Sequence, residues 1–109
     1  MKETIAPGKV LELKDLIAYE EGKVVNEFLV QNEHVRFALK AFDAGTALPP
    51  HTAPGDAIVT ALEGCAVIQY EGVDYEVKAG ENFRFAKGAL HSVAAKDGRF
   101  KMSLLIVLD

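Results

Sequence analysis

Eight short segments combine period-two alternation with β-branched and aromatic residues, and Gly, Pro, Asp or Asn residues separate them. They span residues 23–31, 35–42, 57–62, 66–70, 74–77, 82–85, 91–95 and 100–108. This pattern predicts an all-β sandwich or barrel, and eight such runs favour a jelly roll. Glu71-Gly72 and Asp97-Gly98 suit the positive φ angles of tight hairpins. Residues 10–22 are expected to contain at most a short helical turn.

The length of 109 residues fits one domain. Within it we expect an N-terminal segment with a dimerisation strand (1–34) and a barrel core (35–109). The net charge of -4 and the scattered Lys and Arg residues argue against nucleic-acid binding. No apolar run approaches the ~18 residues that a membrane span requires. With Cys65 as the single cysteine, a reducing compartment and a cytoplasmic location are expected.

Two histidines occupy similar sequence frames. His51 follows Gly45 after five residues, and a parallel stretch runs from Gly80 through Gly88 to His91. With Gly64, these residues resemble the two motifs of the cupin superfamily. The sequence departs from those motifs at four positions, where alanine replaces the second histidine, the glutamate, a proline and an asparagine: Ala53, Ala57, Ala86 and Ala95. His51-Thr-Ala-Pro in particular looks like a subgroup of small single-domain cupins of undefined function.

The resemblance implies a single cupin-type, RmlC-like jelly-roll barrel. Because residues two apart on a strand point to one face, the side chains around His51 and His91 are expected to enclose an apolar pocket. The predicted ligand-binding residues are His51, Ala53, Ala57, Val59, Ala61, His91 and Val93. In this interpretation the two histidines are polar handles for a small molecule.

The resemblance also raises the question of a metal. Cupins usually hold a metal with three histidines and a glutamate, and two of those four ligands are absent here. His51 and His91 are therefore predicted to form a weak metal site or none, for Zn, Mn, Fe or Ni. Asp56 lies beside the glutamate position, and strand parity points it away from the pocket unless a bulge intervenes. His34, within Gln-Asn-Glu-His, is predicted to lie on the surface near a turn.

Other residues have structural interpretations. Phe37, Phe42, Phe83, Phe85 and Phe100 are expected to fill the core, although they could line a ligand cavity. Lys40 is expected to face solvent, with the pocket mouth as the alternative. Cys65 is expected to be a small buried hydrophobic residue.

Three function hypotheses follow. The first is a small-molecule-binding cupin that forms a homodimer through the apolar strand around Phe28. The second is a metal-dependent enzyme, dioxygenase-like or isomerase-like, with an incomplete two-histidine site completed by water, Asp56 or the substrate. The third is a regulatory or interaction domain.

Overall fold

The computed structural model describes residues 5–108, so Met1 to Thr4 and Asp109 lie outside the described residues. A 3-10 turn at Leu13–Leu16 is the one helical element within that range, and it lies where a helical turn was predicted. No helix in the described part of the chain is long and apolar enough to cross a membrane. The strands are β1 (Val24–Gln31), β2 (Val35–Phe42), β3 (Ala47–Thr52), β4 (Asp56–Glu63), β5 (Cys65–Tyr70), β6 (Val73–Lys78), β7 (Asn82–Phe85), β8 (Leu90–Ala95) and β9 (Phe100–Val107).

The strands form two antiparallel sheets. The five-stranded sheet has the order β1-β2-β9-β4-β7, and the four-stranded sheet has the order β3-β8-β5-β6. Strands distant in sequence lie side by side, as β9 does between β2 and β4. The predicted all-β jelly roll is therefore confirmed.

The main core lies between the two sheets. On β4, buried Ala57, Val59 and Ala61 alternate with Asp56 and Ile58, which are exposed. This is the parity that the sequence predicted. Residues of both sheets complete the core, namely Phe42, Ala66, Ile68, Val77, Phe85, Val93, Phe100 and Met102, with Phe83 packed against them.

A second apolar cluster lies on the opposite face of the five-stranded sheet. Ile17 of the N-terminal segment packs there with Leu29, Leu39 and Ala41, and Phe37 packs against this cluster. All five phenylalanines therefore pack in apolar cores, as predicted, and Phe85 also lines a cavity.

Polar contacts attach the N-terminal segment beside this second cluster. The Tyr19 hydroxyl donates a hydrogen bond to the Glu63 carboxylate. The Tyr19 ring lies under the Arg99 guanidinium at 4.9 Å and the Lys101 ammonium at 4.8 Å. Lys101 also donates to the Lys14 carbonyl at 2.7 Å. The segment thus packs on the same sheet that forms one wall of the barrel.

Strand β3 has no counterpart among the eight predicted runs. It contains Pro49 and Pro50, which lack amide hydrogens and are tolerated at sheet edges and irregularities. β3 lies at one end of its sheet, and its register with β8 shifts between Leu48 and His51. The prolines therefore lie outside any central ladder, as predicted, but the strand continues through them to His51.

The glycines of the two motifs have a conformational role. Gly45, Gly64, Gly80 and Gly88 all have positive φ, between 78° and 91°, where a β-carbon is disfavoured. Gly64 has a second constraint, because a β-carbon there would lie 2.1 Å from the carbonyl oxygen of Arg99. The predicted turns at Glu71-Gly72 and Asp97-Gly98 also have positive φ at both residues.

Candidate functional site

His51 and His91 meet at the mouth of the barrel because of strand register. They are directly paired across β3 and β8. Their ring centroids are 4.4 Å apart, and the rings are arranged edge to face. The irregularity at Pro49-Pro50 immediately precedes His51. The prolines therefore help to determine which residue of β3 is paired with His91.

The two imidazoles have the same hydrogen-bonding arrangement. Nδ1 of His51 lies 2.8 Å from the carbonyl oxygen of Pro49, and Nδ1 of His91 lies 3.1 Å from that of Ala89. A carbonyl oxygen can only accept, so in each neutral ring Nδ1 carries the proton and donates it. Nε2 of each ring is therefore a hydrogen-bond acceptor or a metal ligand.

His91 is the more enclosed of the pair. It is only 4% exposed and stacks on Phe85 with ring centroids 3.8 Å apart and an interplanar angle of 15°. Burial lowers the pKa of His91 below its usual value, and the neighbouring His51 acts in the same direction, whereas the bond to Ala89 opposes the shift. His91 is thus neutral at pH 7, whereas His51 lies at the exposed mouth.

Both histidines line a cavity of about 200 Å³ between the sheets. Its walls are largely apolar, with a few polar and charged groups. The lining residues are Phe28, Arg36, Ala38, Lys40, His51, Thr52, Ala53, Pro54, Ala57, Phe85, His91, Leu104 and Ile106.

The seven residues predicted for the ligand site occupy two levels of the barrel. His51, Ala53, Ala57 and His91 line the cavity. Val59, Ala61 and Val93 lie in the close-packed core and do not line the cavity. The sequence gives strand parity but not depth along the barrel, so it could not separate the two groups.

The donor set does not complete a metal centre. Two imidazole nitrogens fall short of the three protein ligands that a catalytic zinc site normally has. In residues 5–108 no cluster of three or more His, Cys, Asp or Glu side chains is placed to hold a metal. Ala53 and Ala57 line the cavity beside the histidines, at the positions where the cupin motif has its other ligands.

The alternative ligands considered from the sequence lie elsewhere. Asp56 points outward, where it accepts a hydrogen bond from the Lys87 amide at 3.0 Å and pairs with Arg84 at 3.2 Å. The Lys87 amide is also the main reason that the pKa of Asp56 is lowered. His34 has an 80% exposed side chain beside Glu33, in the surface position that was predicted.

Cys65 is half-buried rather than part of the core. Burial and, secondarily, Glu76 raise the pKa of its thiol. A raised pKa keeps the sulfur protonated and weakly nucleophilic. The structure thus gives this thiol no sign of activation.

Nine of the thirteen lining residues were not among the predicted ligand-binding residues, and three of these are large side chains of β1 and β2. Phe28, Arg36 and Lys40 point inward from β1 and β2, so the expectation that Lys40 faces solvent was wrong. β2 carries apolar residues on both faces, because its other face packs under the N-terminal segment. Alternation alone therefore did not show which face of β2 is inside. Phe42 lies on the same face of β2 as Arg36 and Lys40 and is buried in the barrel core. Its large apolar side chain was the sequence signal that could have identified the inner face.

Two opposed antiparallel sheets, with paired histidines on the neighbouring strands β3 and β8 of one sheet, define a barrel of the cupin type. The family description "Cupin domain" matches residues 38–108, and the chain belongs to this family. A comparison with curated proteins gave no match.

Solved structures agree with this assignment. A conserved protein of unknown function from Streptococcus pyogenes is 30% identical, with a TM-score of 0.89 over 96% of this chain and 91% of that one. A cupin superfamily protein from Desulfitobacterium hafniense is 27% identical, with a TM-score of 0.88 over 94% and 93%. A cupin 2 conserved barrel domain protein from Leptotrichia buccalis is 37% identical, with a TM-score of 0.85 over 87% of this chain and 46% of that one.

Proposed function

We propose that this protein binds a small organic molecule in the barrel cavity, with His51 and His91 as polar handles. The observation that carries the proposal is the shared arrangement of the two rings. Each Nδ1 is tied to a backbone carbonyl, so each Nε2 can accept a hydrogen bond from a ligand. Ligand sites typically combine apolar walls with a few fixed polar groups, and this cavity has that composition.

The cavity limits the size of the ligand. A dry cavity of about 150 Å³ accommodates benzene, which has six carbon atoms. By that standard a cavity of about 200 Å³ encloses about eight non-hydrogen atoms, and a ligand of about ten would reach the exposed mouth at His51. A compact molecule with one hydrogen-bond donor fits this description.

Phenol and toluene form a suitable pair of probes, because they have the same shape and only phenol has a hydroxyl donor. Titration followed by protein NMR should show that phenol shifts resonances of the cavity residues and binds more tightly than toluene. His51→Leu should reduce that preference, and Ala57→Leu should block both probes by filling the cavity. If neither probe perturbs cavity resonances at millimolar concentration, the binding proposal is wrong.

A metal-dependent enzyme, dioxygenase-like or isomerase-like, is the second candidate. Metal-binding histidines commonly donate the other ring nitrogen to a carbonyl or carboxylate, and both rings have this arrangement. The available donors are two, so a Zn, Mn, Fe or Ni ion would need water or substrate as further ligands. Metal analysis of tag-free protein after dialysis against a chelator should give well under one ion per chain. Full retention would favour the enzyme.

We further propose a cytoplasmic homodimer, functionally akin to the small cupins that carry His-Thr-Ala-Pro. β1 lies at one end of the five-stranded sheet as the described residues define it, and a sheet edge can pair with a second copy. Phe28 itself lines the cavity, so it is not a suitable probe of that edge. Light scattering should give twice the chain mass of 11.8 kDa. β1 amides should also lose protection from hydrogen exchange on dilution, and a monomer at all concentrations would contradict the dimer.

A further inference from the structure

Two basic side chains enter the cavity from the same strand. Arg36 and Lys40 lie on the inner face of β2, on either side of buried Ala38, and both line the cavity. Inward-facing cations in a small barrel require a physical explanation, because burial of an uncompensated charge is costly.

No acidic side chain among residues 5–108 forms an ion pair with either cation. The lining residues include no Asp or Glu within the described range 5–108. The Nε atom of Arg36 is buried and has no hydrogen-bond partner in that part of the chain. Lys40 donates to the amide oxygen of Asn26 at 3.0 Å, which satisfies one proton but contributes no negative charge. Burial also lowers the pKa of Lys40, as expected for a desolvated cation.

The histidines face the cavity from the opposite wall. Arg36 and Lys40 belong to the five-stranded sheet, whereas His51 and His91 belong to the four-stranded sheet. Apolar residues also line the cavity, including Phe85, which stacks on His91. A ligand that contacts both walls therefore needs different chemistry at its two ends.

We propose that the ligand is a small organic acid, whose carboxylate is bound by Arg36 and Lys40 and whose hydroxyl or N–H group donates to an imidazole of the histidine pair. This inference rests on the proposed binding function. Arg can hold a carboxylate in a charge-assisted, often bidentate geometry. A second carboxylate at the other end would meet the Nε2 lone pair of neutral His91 and would be disfavoured. The preferred class is therefore a hydroxylated or amino-substituted monocarboxylic acid with a short apolar body.

The test compares 4-hydroxybenzoate with 4-hydroxybenzamide, which has the same shape without the charge. Benzoate serves as a third probe, because it keeps the carboxylate and lacks the hydroxyl. Dissociation constants are measured by NMR titration at pH 7. The amide should bind at least about tenfold more weakly than 4-hydroxybenzoate, since hydrogen bonds to charged groups commonly have that effect or more. Benzoate should be weaker than 4-hydroxybenzoate as well.

Variants assign the charge effect to the cavity. Arg36→Gln and Lys40→Gln should each weaken 4-hydroxybenzoate about tenfold or more while leaving 4-hydroxybenzamide nearly unchanged. Arg84→Gln is the matched control, because it removes the same charge from the exposed side of β7. It should leave both constants unchanged. The comparison of probes on the unmodified protein also tests the proposal independently of how the variants fold.

The outcomes separate this inference from the proposed function. If phenol binds but the acid and the amide bind equally, the cavity is a ligand site and the acid inference is wrong. If the acid is preferred but Arg36→Gln, Lys40→Gln and Arg84→Gln have equal effects, the preference arises from net charge and the inference is also overturned. If phenol and all three benzoyl probes fail to bind, the binding function itself is refuted.

Discussion

Restoration of the two missing cupin ligands tests the geometry of the whole site. Ala53 and Ala57 line the same cavity as His51 and His91. The double variant Ala53→His/Ala57→Glu should therefore present three imidazoles and one carboxylate to a common point. Such a set suits zinc, manganese or iron. We expect the variant to bind one metal ion per chain, whereas the parent chain does not.

The cavity volume determines the cost of this change. The new side chains add about nine non-hydrogen atoms, which need about 225 Å³ if benzene occupies about 150 Å³. The cavity provides about 200 Å³, so the fit is tight. An overpacking penalty of about 1–3 kcal/mol is expected for the metal-free variant. Metal at a hundredfold excess over its dissociation constant should add about 2.7 kcal/mol to the unfolding free energy, or about 10 °C in Tm for a domain of this size.

Thermal melting with and without zinc or manganese measures this effect. The control is Ala53→Gln/Ala57→Gln, which adds similar bulk but neither imidazole nor carboxylate. Its Tm should rise with metal no more than that of the parent chain. If both variants fold and the His/Glu variant gains nothing further from metal, the side chains at positions 53 and 57 do not converge on the histidine pair.

Three further predictions concern stability. Gly64→Ala should cost at least about 3 kcal/mol in urea denaturation, because positive φ combines with a carbonyl oxygen 2.1 Å from the new β-carbon. Gly88→Ala, which has similar φ and open space, should cost only about 1–2 kcal/mol; equal costs would contradict the role of the close approach. Since burial lowers the pKa of His91, the unfolded chain binds a proton at higher pH than the folded chain. Unfolding free energy should therefore decrease as pH falls below about 6.5, and less so in His91→Gln; identical pH profiles in melting experiments would argue against this. Tyr19→Phe removes the hydrogen bond to Glu63 and should cost about 1–2 kcal/mol in urea denaturation, whereas a neutral effect would show that the contact adds no stability.

Much of the barrel could be predicted from the sequence because strand parity and turn chemistry are local properties. The alternation along 57–62 placed Ala57, Val59 and Ala61 inside, and the structure buries all three. The motif glycines coincide with positive φ angles that only glycine adopts at little cost. These signals are present in this sequence although it lacks two of the metal ligands of the motif.

The parts that were missed depend on contacts between distant segments. β3 is an edge strand with two prolines. In the sequence alone, a pair of prolines predicts the end of a strand and not its interior. The inner face of β2 is hidden in the sequence because the N-terminal segment covers its other face and makes both faces apolar. In the sequence, Arg36 and Lys40 therefore have the pattern of solvent-facing residues. Only the arrangement of the sheets shows that they face the cavity. The depth of a residue along the barrel also depends on contacts between distant segments. No local sequence pattern distinguishes Ala57, which lines the cavity, from Val59, which lies only in the core.

The alanine at position 57 and the two cations of β2 belong to the same sheet and line the same cavity, so their presence can be explained together. In the cupin motif this position carries a glutamate, and a carboxylate there would lie in the same cavity as Arg36 and Lys40. It would supply the negative charge that the lining residues lack. With alanine in its place, the described lining residues leave the positive charge of β2 uncompensated, and the space that the glutamate would fill is open. An anionic molecule that enters the cavity can then take over both the volume and the charge of the missing side chain. In this view the absence of the metal-ligand glutamate and the presence of the acid-binding site have the same structural cause. The single variant Ala57→Glu, without added metal, should consequently exclude 4-hydroxybenzoate by pairing with the cations itself.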